Sequence, residues 1–262
     1  MLILRDEKKV QRYKRISQIL SVVGMVVLIT GFILGLRNIV GAQLISLAVG
    51  FMLSQVAVYM AHRYVRTPRP DQLLDDALRK SIKGGRMYHF LLPADHVLLT
   101  PSGPIIFHLK YQAGDMSVSK DSKGRDKWQQ KKVGFFRRFF GQESLGNPTR
   151  EAELLVEGLA NFLRRQAPEV ADQEIPIGVI IIFTHSLIRK KDNNKEVRVP
   201  ANLDLKASTF TAMHVSKLRG YLRSNRMGEP LPAETYAALQ AAFDKKAGNL
   251  LGQEQELLPE EA

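Results

Sequence analysis

Apolar positions along this chain change their period twice. From Ile16 to Leu36 (ISQILSVVGMVVLITGFILGL) no residue is charged, and after Arg37 and Asn38 a second uncharged run extends from Ile39 to Ala61. At 1.5 Å rise per residue, roughly 21 residues give about 31 Å, enough to cross the hydrocarbon core of a bilayer. The two-residue interval predicts a tight helical hairpin. A cleaved signal peptide is disfavoured, because the first run is longer than a signal core and a second span follows directly.

Beyond the stiff segment Thr67-Pro-Arg-Pro70 the pattern shortens. Asp71 to Ile82 has leucines at helical spacing, acids near its start and Gly84-Gly85 after it, which predicts a helix. Met87 to Leu92, His96 to Thr100 and Pro104 to Lys110 are strand-length runs separated by Pro93 and by Pro101-Ser-Gly-Pro104. They predict a meander, which Gly114 to Ser119 would extend. Residues 120 to 146 have no clean period and read as a long loop or hairpin. Thr149 is placed to cap a helix over Arg150 to Gln166, and the unbroken run Ile177 to Phe183 predicts a strand buried on both faces. Arg189-Lys-Lys191 and Lys195 suggest an exposed hairpin, Phe210 to Val215 a short strand, and Ser216 to Ser224 and Pro232 to Lys246 helices. The expected organisation is an anchor over residues 1–69, with spans at about 16–36 and 39–61, an α/β domain over 70–252, and a flexible acidic tail over 253–262.

Charge sharpens this picture. The 262 residues carry a net +12, but residues 1–69 alone contribute +8, from ten basic residues and two acids. Six bases precede the first span and Arg63, Arg66 and Arg69 follow the second. By the positive-inside rule this predicts a multi-pass cell-membrane protein whose N-terminus and C-terminal domain are both cytoplasmic, with the bilayer as a partner. The absence of cysteine excludes thiolate metal sites, a cysteine nucleophile and a disulfide framework. Walker-type, GxGxxG, HExxH and GxSxG motifs are missing.

The candidate chemistry lies in Asp95-His-Val-Leu-Leu-Thr-Pro-Ser-Gly-Pro-Ile-Ile-Phe-His-Leu-Lys110. Residues two apart on a strand share a face, so His108 and Lys110 point the same way, and Asp95 can approach that face if the strands pair across the turn. Each also has a plain structural role available: Asp95 as a turn cap, His108 as an ordinary strand residue, Lys110 as a solvated strand end. A second segment, Lys120 to Phe140, holds eight bases, two acids, Trp128 and four phenylalanines. Lys127, Trp128, Lys131, Lys132, Arg137 and Arg138 in it suit either single-stranded nucleic acid or an anionic membrane surface, or belong to a packed, solvated loop.

The ordered set Asp95-His96-Val97, Pro101-Ser-Gly103, Lys110, Gly114, Trp128 and Asn147-Pro148 resembles the nuclease-related domain family, a branch of the PD-(D/E)XK restriction-endonuclease-like fold. The resemblance covers roughly residues 71 to 185, with a weaker extension to 224. It implies an α/β fold, with a restriction-endonuclease-like mixed central sheet flanked by helices, after the transmembrane hairpin. It also implies binding of DNA or RNA, or phosphodiester hydrolysis with Mg²⁺ or Mn²⁺. Asp95, assisted by Asp75, would be the metal ligand, and Lys110 the partner of water or phosphate. Two departures stand out. His108 occupies the place of the family's metal-binding Glu, and Glu151 that of a helix Gln. Imidazole is a poor ligand for Mg²⁺ and suits Mn²⁺ or Zn²⁺ better, while Glu151 can supply the missing carboxylate if its helix starts beside the site. The other reading is a catalytically inactive membrane-side scaffold or interaction module.

Overall fold

The computed structural model describes residues 1–82, 84–112, 114–131, 144–185, 188–192, 195–199, 202–225, 228–248 and 250–251. The chain forms two compact units, one spanning Glu7–Pro70 and the other combining Met1–Asp6 with Asp71–Lys131 and the residues from Leu145 onward.

In the first unit, α1 (Glu7–Leu36) and α2 (Val40–Met60) form a hairpin, and a π-helical turn, Ala61–Val65, follows. Both helices are long and apolar enough to cross a membrane. α1 starts well before the predicted span, so Lys8, Lys9, Arg12, Lys14 and Arg15 are helical. Their mutual packing is made by small residues. Ser17, Gly24 and Gly31 are buried on α1, and Gly50 and Ala57 on α2. The Ser17 hydroxyl donates to the carbonyl of Ala57 at 3.0 Å, and a Cβ on Gly24 or Gly31 would come within 3.0 Å of Ser54 Oγ or Ser46 Cβ. The large aliphatic and aromatic side chains Ile29, Phe32, Ile45 and Met52 are outside, 53–68% exposed. This is the inverse of a water-soluble core and the arrangement that a lipid solvent favours. At the base of the hairpin Tyr13 stacks on Tyr64, with centroids 5.1 Å apart, and Arg69 pairs with Glu7 at 3.2 Å.

The second unit is a mixed sheet with helices on both faces. Its strands are β1 (Leu2–Arg5), β2 (Arg86–His89), β3 (His96–Thr100), β4 (Gly103–Lys110), β7 (Gly178–Phe183) and β11 (Thr211–His214), in the order β1-β2-β3-β4-β7-β11. β3 alone runs opposite to the rest. One face is covered by α4 (Pro148–Gln166) and α6 (Ala233–Ala247), through Ala152, Leu159, Leu163, Leu239 and Phe243 packed on Val97, Ile106, Ile181 and Phe183. The opposite face is covered by α3 (Pro70–Arg79) and α5 (Val215–Ser224), with Leu74, Leu78 and Leu218 on Met87, Leu98, Phe107 and Ile182. β7 is therefore buried on both sides, as its unbroken apolar run predicts.

Four sequence expectations change. Residues 1–6 do not belong with the anchor, because Leu2–Arg5 pair in parallel with β2 and Leu4 is buried. The second strand stops at His89 because Phe90 adopts φ +63° and its N–H bonds the Asp95 carbonyl at 2.7 Å, turning the chain into β3. β5 (Asp115–Lys120) leaves the meander after Gly114, at φ +96°. It forms a separate sheet with β6 (Asp126–Lys131) and β10 (Leu203–Asp204), and β7 takes the place beside β4. Finally, the cap of α4 is Asn147, whose side chain accepts from the Arg150 N–H at 3.2 Å, with Pro148 in the first turn. Thr149 instead spends its hydroxyl on Asp126. β8 (Ile188–Asp192) and β9 (Lys195–Val199) pair as the expected hairpin.

Candidate functional site

Because β1, β2, β4, β7 and β11 run the same way, their C-terminal ends and the start of β3 line one edge of the sheet, the edge where open α/β sheets carry their ligands. Six of the fourteen buried polar side chains among the described residues gather there: His89, His96, His108, Lys110, Thr184 and His214. The strand pleat divides them between the two faces.

On the α4 face, Lys110 is 3% exposed and its ammonium donates to Glu151 Oε2 at 2.7 Å. His108 Nε2 lies 3.0 Å from the same oxygen. The parity of β4 puts both residues with Ile106, toward α4, and the Asn147 cap with Pro148 starts α4 so that Glu151 falls in its first turn, where a carboxylate is favoured. Burial raises the Glu151 carboxyl, but the hydrogen bonds from His108 and Lys110 and the Lys110 charge outweigh it and bring it down to about 2. Gly146, at φ +65°, lets the chain pass close by, since a Cβ there would lie 2.5 Å from Glu151 Oε1. The Lys110 carbonyl is fixed in turn by the Thr184 N–H at 2.7 Å.

On the opposite face, Arg5 Nε pairs with Asp71 Oδ2 at 2.9 Å, and the same guanidinium also pairs with Asp75. Asp75 Oδ1 lies 2.7 Å from His89 Nε2, and His89 Nδ1 lies 2.8 Å from His96 Nδ1. A carboxylate only accepts, so His89 donates to Asp75 through Nε2. Phe90 packs edge-on against His96, with centroids 4.9 Å apart.

The sequence-derived residues are thus distributed unequally. His108, Lys110 and Glu151 converge. Asp75 does not join them, being on α3 at the other face and committed to Arg5 and His89. Asp95 immediately precedes β3 and belongs to the same sheet edge. Among the described residues no group of three His, Asp or Glu side chains is arranged to hold a metal ion. Glu151 already accepts from a lysine and is paired with a histidine, which does not fit a hard divalent cation that needs several free oxygens.

The basic and aromatic set is also divided. β6 alternates, so Lys127 and Lys131 are exposed while Trp128 turns inward. The indole N–H donates to Thr149 Oγ1 at 2.9 Å and the ring lies 6.1 Å from Phe183. Trp128 is therefore a packing residue of this unit rather than an open stacking platform. Lys132, Arg137 and Arg138 lie outside the described residues.

Behind Trp128 sits a clamp that the sequence reading did not find. Asp126 accepts from Thr149 Oγ1 at 2.5 Å, from the Thr209 N–H at 2.8 Å and Oγ1 at 3.0 Å, and pairs with Lys120. Burial raises its carboxyl, but these donors prevail and bring it to about 2. Arg5, His89, His96 and His214 were also missed. Arg5 and His214 read only as polar residues near the end of an apolar run, which a surface strand end shows equally, and His89 and His96 as polar residues within or beginning one.

The chain matches no family model, no curated protein and no solved structure.

Proposed function

We propose that this chain is a membrane-anchored, nuclease-related module that binds nucleic acid at the C-terminal edge of its sheet and has given up two-carboxylate metal-dependent hydrolysis. In this reading α1 and α2 cross the membrane with both ends cytoplasmic. Their small-residue packing, outward aliphatic side chains and basic flanks support it. The α/β unit is a restriction-endonuclease-like domain in degenerate form.

The observation that carries the functional part is the buried Lys110, held from a neighbouring helix by Glu151 while Asp75 faces away. The cation that the resemblance assigns to the phosphate is retained, and Asp75, one of the two metal ligands that it assigns, is committed to Arg5 and His89 on the other face. Exposed Lys127 and Lys131 supply further phosphate contacts. One observation favours the rival reading, an interaction module with no nucleic-acid ligand: Glu151 already neutralises Lys110.

The test uses the full-length protein in lipid nanodiscs, with single- and double-stranded DNA and RNA, in Mg²⁺ or Mn²⁺. Salt-dependent binding without cutting is expected, weakened by Lys110→Met. Cutting that disappears in Asp95→Ala would overturn the loss of catalysis. Absence of binding to all four substrates would overturn the nucleic-acid reading and leave the scaffold.

A further inference from the structure

At the ends of three neighbouring parallel strands, Lys110 of β4, Phe183 of β7 and His214 of β11 are register partners in one row. Paired residues of adjacent strands share a face, so His214 belongs to the face on which Lys110 meets Glu151. It is 7% exposed. Its Nδ1 caps α5, accepting from the Ser216 N–H at 3.2 Å and lying 2.8 Å from Ser216 Oγ. A backbone N–H can only donate, so Nδ1 carries no proton and the ring proton of the neutral imidazole is on Nε2. Burial, then the nearby Lys217 charge, lowers the His214 pKa and favours that neutral form. Nε2 is itself buried and has no hydrogen-bond partner among the described residues. A buried donor with no acceptor costs free energy and calls for an explanation.

We propose that His214 Nε2–H is an oxyanion-binding donor which, together with the Lys110 ammonium, binds a phosphate group at this end of the sheet. This deepens the reading above by naming a second binding residue, on a strand that carries none of the motif residues of the family resemblance. The imidazole does two jobs with its two nitrogens, holding α5 in place through one and presenting a proton to the ligand through the other. Trp128 borders the row through its contact with Phe183 and is the only tryptophan in the chain, so its fluorescence reports occupancy.

Two amide variants separate the two jobs. Asn places its amide near the Nδ1 position, so His214→Asn keeps the cap and loses the donor. Gln reaches the Nε2 position, so His214→Gln keeps a donor and loses the cap. Full-length protein in nanodiscs is titrated with a short poly-dT oligonucleotide and, separately, with inorganic phosphate, following Trp128 emission, and thermal unfolding is followed by circular dichroism. The expected result is wild-type thermal stability with affinity reduced about tenfold in His214→Asn, and near wild-type affinity with lowered stability in His214→Gln. Wild-type affinity in His214→Asn, with weakened binding in Lys110→Met, would overturn the role of His214 and leave the nucleic-acid reading standing. Binding of phosphate but not of oligonucleotide, lost in His214→Asn, would support His214 and defeat the nucleic-acid reading. Binding of neither probe by the wild type would overturn both.

Discussion

Replacing Glu151 by Gln removes one negative charge and leaves the shape almost unchanged. In the folded protein the carboxyl titrates at about 2 against an ordinary 4.5, a gap that would be worth about 3 kcal/mol for a fully enclosed group. The Glu151 side chain is 37% exposed, so solvent screens the pair and the stabilisation falls to about 1–2 kcal/mol. The sign follows from the direction. A carboxyl depressed on folding stabilises fully above its unfolded value near 4.5, and that contribution is lost as pH falls from there to about 2. Glu151→Gln is therefore expected to unfold at lower urea concentration at pH 7, by about 1–2 kcal/mol, and to converge on the wild type as the pH approaches 2. The assay is equilibrium urea unfolding of the full-length protein in a mild detergent, followed by Trp128 fluorescence, which reports the α/β unit directly. The same variant leaves the buried Lys110 without its anion, so its affinity for a phosphate probe should rise. Equal stability of the two proteins at pH 7, or a difference that persists unchanged in acid, would refute the reasoning that Glu151 is held as a carboxylate by Lys110 and His108.

Two further outcomes follow from the same geometry. Gly146→Ala places a side chain at φ +65° and a Cβ 2.5 Å from Glu151 Oε1. It should cost about 1–2 kcal/mol and abolish most of the stability difference between the Glu and Gln forms at residue 151, measured by the same urea titrations as a double-mutant cycle. Asp126→Asn replaces an acceptor that faces three hydroxyl or N–H donors and Lys120 with a group that is half donor. It should lower stability by about 2–4 kcal/mol at pH 7 and shift Trp128 emission, because Thr149, which accepts from the indole, loses its own acceptor.

The sequence alone determined the parts governed by local period and solvent. Two uncharged runs of membrane length, joined by two residues, read as a pair of apolar helices, and the structure has them as α1 and α2. The run from Ile177 to Phe183 could only be a doubly buried strand once helices alternated around it. The pairing of His108 with Lys110 on one face came from the two-residue repeat of a strand, whereas the arrival of Glu151 stayed open until α4 was placed, capped by Asn147 and not by Thr149. Tertiary structure decided everything that depends on which segments become neighbours. Leu2 to Arg5 is too short to be recognised as a strand, and it becomes one because β2 offers an open edge and Asp71 and Asp75 receive Arg5. Asp75 and Glu151 could not be assigned to opposite faces of the sheet before α3 and α4 were placed on it. His214 reads as an ordinary polar residue at a strand end. Only the parallel register of β4, β7 and β11 sets it in the row of Lys110, and only the α5 cap fixes which of its nitrogens holds the proton. Periodicity acts over a few residues, whereas these contacts join residues about 40 to 100 positions apart, and their free energy exists only after the sheet has closed around them.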